Sequence, residues 1–528
     1  MVRAVAVLAC AVGAATLLAA LLGARPSTTP ASTSLAALEA SWSIPASEFL
    51  RFSSVLEMLD AKGVDYDSDA VYGYVPRRLD LTVRNADAVL EGSIGEAAVG
   101  GYAAFSLSFG NSAGYVVVVD YASGNLTAVA PTYGAVMAAR GAGDAVVSTN
   151  TYGPRGLKMY NASTLLVALG ANANKGPRAL YDWRSDSWEI LCGGDSNDAH
   201  DLQMSYDYAG VWQADGRTST KKWDASTGEV EASFAETDVA DPNHVQVTDE
   251  DNIAYISSRQ TDGLVKVKTD GTVLWTLGGP NGDFAVEDGK PGENITTYAA
   301  GASVWVGQHN AEYVGDDEYC LFDNRESTGE NSRLLCVVLY EHKGYATISF
   351  LKDLGAYTPH FGDNDRLPTG NQLGVHWPEN VDVDNQYDVR LLEVVRGSLD
   401  VAYELKVVGI ACATTKACEK GLTDRWTSYS AERFYGAPLV WNASCTGGML
   451  DFTAVDAFKR ANKYRATYEV TERPTKRSAS VAGDFYFAAY WRETAVASVD
   501  VSSLVGPLLL TVTNEFGDAT SVDVDTCT

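Results

Sequence analysis

A chain of 528 residues with 46% hydrophobic content is long enough for a large repeat fold or for more than one core. Its 68 acidic against 40 basic residues give a formal charge of -28. That balance disfavours nucleic acid and anionic membrane surfaces as partners, because phosphate binding needs clustered Lys and Arg.

The N-terminus reads as a secretory signal over residues 1–25: Arg3 precedes an apolar stretch from Ala4 to Leu22, followed by small residues and Pro26. Roughly 20 apolar residues span a bilayer, so an uncleaved membrane anchor through residues 4–22 is the alternative. The secretory pathway or the extracellular space is the expected location. N-x-S/T acceptor sites at Asn125, Asn161, Asn294 and Asn442 agree with it, as expected of a glycoprotein. The spacing of the cysteines allows bridges between Cys412 and Cys418, Cys320 and Cys336, and Cys445 and Cys527, with Cys192 left over.

Residues 26–110 form an N-terminal region, helical in part over 35–62 and strand-like over 72–110. From 111 to 440 one unit recurs: a β-type run, a polar turn, then a second run. It is seen at 115–129, 180–191, 221–234, 264–277 and 389–405. Ser123-Gly124, Thr227-Gly228 and Asp270-Gly271 are hairpin signals between flanks rich in aromatic and β-branched residues. A unit of this size cannot bury its own faces, and radial stacking does so while protecting the strand edges. The expected fold is therefore all-β, a β-propeller over 111–440. Beyond Pro438, residues 453–463 look like a short helix. The alternating runs at 464–471, 484–491, 497–503 and 508–524 then fit a small β-sandwich over 441–528.

Chemistry concentrates on histidine, of which the chain has 6. His200 in HDLQ, His244 in DPNHVQ, His309 in QHNAEY and His360 in TPHFGDND each lie where a loop meets a strand. In a propeller such positions converge on the central channel. His342 and His376 read as structural. The Asp-rich turns at 363–365 and 382–388 read as solvated turns rather than calcium loops.

The succession of HDLQ, DPNHVQ with an ISSR strand and a WTLGG stretch, QHNAEY followed by LFDNR, TPHFGDND and YSAERFY resembles the arylsulfotransferase family over about residues 110–440. These are secreted propeller enzymes that pass a sulfuryl group between phenols without a nucleotide sulfate donor. The resemblance implies six blades, where the repeat count alone also allows seven. It implies small aryl sulfate and phenolic substrates, no cofactor and no metal. It further implies His360 as the nucleophile, with His376 in reserve. His200 and His309 then hold sulfuryl oxygens or move the phenol proton, and Arg325 clamps the sulfuryl group. His244, Asn243 and Asn324 line the substrate pocket. Two other readings of the histidines are a propeller oxygenase with a four-histidine metal site and a non-catalytic extracellular binding module.

Overall fold

The computed structural model describes residues 78–83, 100–109, 113–124, 126–132, 153–169, 178–191, 200–215, 219–235, 239–288, 295–379, 387–408, 426–473 and 479–527. The signal, the segment at 35–62 and cysteines 192, 412 and 418 lie outside them.

Six sheets, each containing a run of four antiparallel strands, follow one another along the described chain. The second, third and fourth blades are simple meanders that start at the inner strands Pro154–Met159, Leu202–Met204 and Pro242–Thr248. The fifth starts at His309–Tyr313 and carries two extra outer strands, Ala285–Asp288 and Thr296–Tyr298. The sixth starts at Asp363–Arg366 and gains Arg78–Val83 on its outer edge. The first blade is built from both ends of the propeller sequence: Tyr102–Phe109 pairs with Ala113–Asp120 on one side and with Ala431–Phe434 on the other.

That pairing closes a ring. Neighbouring inner strands touch from the second blade to the sixth, and Ala431–Phe434 meets the second blade on one side and Gln372–His376 of the sixth on the other. Side chains stitch the seams. The Gln203 amide donates to Val247 O and accepts from its N–H, and Gln246 makes the same paired contact with Tyr313. Asn310 donates to Gly362 O, Ala431 N–H to Asp363, and the Ser430 hydroxyl to Arg155 O. Two glycines permit close approach. A Cβ on Gly156 would stand 2.3 Å from His200 O, and one on Gly362 (φ +105°) would stand 2.7 Å from the Phe322 ring.

The expected hairpins are real. Gly124, Gly228 and Gly271 all take positive φ in the turns joining the two outermost strands of their blades. Val116 to Val119, a continuous apolar run, is buried on both faces between neighbouring blades.

After the ring come two further sheets. One holds Leu439–Thr446, Met449–Val455 and Thr494–Asp500; the other holds Ser480–Phe487, Tyr464–Glu472, Leu508–Thr513 and Ala519–Val524. Leu450, Phe452, Val470, Phe487, Leu510 and Val512 form their common core. The helix expected at 453–463 is not formed. The strand runs on to Val455, with Phe452 and Ala454 buried, and an irregular segment follows. Cys320–Cys336 and Cys445–Cys527 are disulfides. No helix among the described residues is long and apolar enough to cross a membrane.

Candidate functional site

The six inner strands enter the channel through a repeated four-residue step: RGLK (155–158), HDLQ (200–203), NHVQ (243–246), HNAE (309–312), GDND (362–365) and YSAE (429–432). The matching seam bonds of Gln203 and Gln246 fix the register. Irregular pairing at Pro154/Leu157, Pro242/His244 and His309/Glu312 marks bulges, which re-aim side chains at this level. First positions form an upper tier of Arg155, His200, Asn243, His309 and Tyr429, joined by His360 and Phe361 just ahead of Gly362. Second and fourth positions form a lower tier of Lys158, Asp201, His244, Glu312, Asp363, Asp365 and Glu432.

Three of the four expected imidazoles meet in the upper tier. The rings of His200 and His309 lie 5.8 and 6.0 Å from that of Tyr429. His309 and His360 lie 6.1 and 4.3 Å from Phe361, and Trp377 backs His360 at 4.8 Å. The Tyr429 hydroxyl donates to Asn243 O, and the Asn243 amide donates to Gln308 O at 2.6 Å.

His309 is the most constrained. Asn324 donates through Nδ2 to Thr358 O (3.0 Å) and Phe361 O (2.9 Å). Its Oδ1 must therefore accept, and it does so from His309 Nδ1 at 2.8 Å. The proton sits on Nδ1, and Nε2 keeps its lone pair. Burial, with the charges of His200, Arg259 and His360, outweighs the Asn324 bond and holds this imidazole well below its usual range. His360 is half-buried. Burial first, then Arg155, Arg259 and His200, push it down to about 4. Both rings are neutral near pH 7.

His244 departs from the other three. It occupies the second position of its step, one residue deeper, and its Nδ1 pairs with Asp201 while Nε2 lies 3.6 Å from Glu312. The four histidines thus do not form one ligand set. Asp201, His244 and Glu312 do offer ligand atoms within 4.8 Å of one another. The Lys158 ammonium already stands among them, 2.8 Å from Glu312 and 3.6 Å from Asp201, in the place a metal cation would take.

Arg325 is not brought to the imidazoles. It follows the strand Glu318–Asp323, takes positive φ and pairs with Glu330 on an open face. The cations that bear on the rings are Arg259 and Arg155. Arg259, at the end of the ISSR strand, bonds Asp241 and Glu326 at 3.1 and 2.8 Å. Arg155 lies 5.0 Å over the Phe361 ring. His376 lies in the second strand of the sixth blade, fully buried, against Tyr387 and 3.5 Å from the Thr358 hydroxyl. His342 is exposed in the turn Glu341–Lys343. Asp363 and Asp365, read as a solvated turn, are 1% and 2% exposed on an inner strand, because the channel and not solvent receives them.

Tyr429, Arg155, Arg259 and the lower-tier acids were missed. The alignment of HDLQ, NHVQ, HNAE and YSAE is the sequence signal that finds most of them.

A closed ring of six sheets, each built on four antiparallel strands, around a polar channel defines a β-propeller with an axial site. Residues 197–336, from just ahead of the third blade into the fifth, match the family model Arylsulfotransferase (ASST). No curated protein matches the chain. Similar solved structures include the periplasmic gluconolactonase PpgL of Pseudomonas aeruginosa: 13% identity, 58% of this chain and 97% of that one, TM-score 0.35. Another is the Cps50 (Swd1) β-propeller domain of Myceliophteria thermophila: 9% identity, 57% and 85%, TM-score 0.32. A third is a protein of unknown function from Bacteroides caccae: 8% identity, 58% and 94%, TM-score 0.39. At these TM-scores none of the three bears on what the chain does.

Proposed function

We propose that the chain is an arylsulfate sulfotransferase that moves a sulfuryl group from an aryl sulfate ester to a phenol through a sulfated histidine. The observation that carries this reading is the upper tier: imidazoles from the third, fifth and sixth blades around a wall of aromatic rings, one of them locked in a single tautomer.

His360 is the nucleophile. Its ring is neutral near pH 7, half-buried, and without a ring hydrogen bond among the described residues, so its lone pair attacks without first losing a proton. In the first half-reaction an N–S bond forms as the S–O bond to the donor breaks. The aryl oxygen leaves with the electron pair and takes up a proton from His200 or from water. In the second, the acceptor hydroxyl gives its proton to Nε2 of His309 while its oxygen attacks sulfur. The N–S bond breaks and His360 recovers its lone pair. Arg155 and Arg259 stabilise the charge on the sulfuryl oxygens, in the role first expected of Arg325. Asn243 lines the upper tier and Asn324 orients His309, while His244 serves the lower tier. Phe361, Tyr429 and Trp377 offer faces against which an aryl ring packs. The propeller spans about 102–434, and 441–528 forms a C-terminal sandwich. The disulfides, with the signal expected from the sequence over 1–25, support action outside the cytoplasm.

Brief exposure to para-nitrophenyl sulfate, followed by peptide mass spectrometry, should place sulfate on the peptide holding His360. Sulfate on a peptide holding His309 or His376 instead overturns the assignment.

A further inference from the structure

Beneath the imidazoles the channel carries an excess of buried acid. Asp201, Glu312, Asp363, Asp365 and Glu432 are each at most 2% exposed. The six blades set one ammonium against these five carboxyls: Lys158, in contact with Asp201, Glu312 and Glu432 at 3.6, 2.8 and 3.3 Å. A second cation arrives from outside the ring. Lys459, in the irregular segment after Met449–Val455, donates to both Glu312 and Asp365 and is itself buried to 8% side-chain exposure. Its neighbours fasten that segment to the same end of the channel. Asn462 accepts from the Glu250 N–H, Arg492 donates to Val314 O and Gly315 O, and Tyr490 packs edge-on to Tyr313 at 5.0 Å. Arg460, one residue on, points to Asp456 and Glu515 instead.

We propose that the C-terminal region is the electrostatic stopper of the propeller channel, with Lys459 as the counter-ion of Glu312 and Asp365 at depth. The inference stands apart from the sulfuryl-transfer reading. A cavity lined by Lys158, His244, Glu312, Glu432, Lys459 and Tyr490 marks where the stopper seats. Burial would raise the Glu312 carboxyl, but Lys158 and Lys459, helped by His244, outweigh it and hold it well below its usual range. At the other acids burial, reinforced by the neighbouring carboxylates, prevails over the contacting lysines: Asp365 is held well above its usual range and Glu432 is pushed up to about 7. The groups facing Lys459 are thus Lys158, Asp201, His244, Glu312, Asp363, Asp365 and Glu432 from the six blades. Tyr464 and Tyr490 face it from its own region.

The test is Lys459→Met in the full chain, melted at about pH 8 and about pH 5. A carboxyl stripped of its counter-ion has a raised folded pKa, so it supports the fold only when protonated. The loss in melting temperature should therefore be large at the higher pH and shrink at the lower one. Lys459→Arg should melt near the parent at both. Combining Lys459→Met with Glu312→Gln should cost less at the higher pH than the two single losses summed, because the acid goes with its cation. A loss independent of pH, or strict additivity, overturns the proposal. Should Lys459→Met yield no folded protein at neutral pH, refolding yield replaces the melt. Recovery at about pH 5 but not at about pH 8 supports the stopper, and recovery at neither overturns it.

Discussion

The two tiers of the channel lie one to three residues apart on the same strands, yet burial acts on them in opposite ways. In the upper tier it keeps His309 and His360 neutral, since a lone imidazolium out of water has no partner to repay its desolvation. In the lower tier it is met by pairing, and Lys158 and Glu312 stay charged against it. A neutral ring with a lone pair is a reagent, whereas a compensated ion network is a support. On the proposed reading, the same scaffold separates reactivity from stability by stepping a residue or two along a strand.

Substitutions should sort by tier. The largest effect is expected from His360→Ala, which should lower the transfer rate on the order of a thousandfold or more with little change in melting temperature. Retained activity would remove the upper tier from the chemistry. Glu312→Gln should do the reverse, costing about 3–5 kcal/mol of stability because Lys158 and Lys459 lose their common partner, while the folded fraction still turns over. Calorimetry set against kcat separates the two effects.

Asn324→Ala frees the His309 ring to flip. It should cost on the order of a hundredfold in kcat, with KM little moved, since the lost group orients a proton acceptor rather than holding substrate. Transfer should persist as pH falls from neutrality and fall away only through about 4, where His360 takes up its proton. Over the same descent stability should fall. Below the ordinary imidazole pKa of about 6.5 the unfolded chain binds a proton that buried His309 and His360 refuse. The smallest effect is expected from Arg325→Ala, whose ion pair with the 57%-exposed Glu330 side chain is worth little. Arg259→Ala should cost about a hundredfold beside it, and the reverse order would return the clamp to Arg325.

Much of the scaffold was legible because its signals are local. Gly124, Gly228 and Gly271 mark hairpins by backbone freedom alone, and His200, His309 and His360 stand at loop–strand junctions that any propeller turns inward. What escaped depended on register and on long-range closure. His244 looks like its fellow histidines in sequence, but it aligns with Asp201, one residue off, and so faces the acids. Arg259 reads as the end of a strand until Asp241 and Glu326 hold it beside the channel mouth. Tyr429 lies far along the sequence from Tyr102–Phe109, and only ring closure brings it between His200 and His309. Lys459 lay inside a run that looked helical.

Closure itself carries a cost in time. Because Ala431–Phe434 completes the sheet begun by Tyr102–Phe109, a nascent chain cannot finish its first blade until more than three hundred residues later have emerged. Until then that blade exposes an unpaired strand edge, and the loop to be closed is among the longest in the molecule. Synthesis of this protein should therefore pass through an open ring, the form most open to chaperone capture and to mispairing between copies.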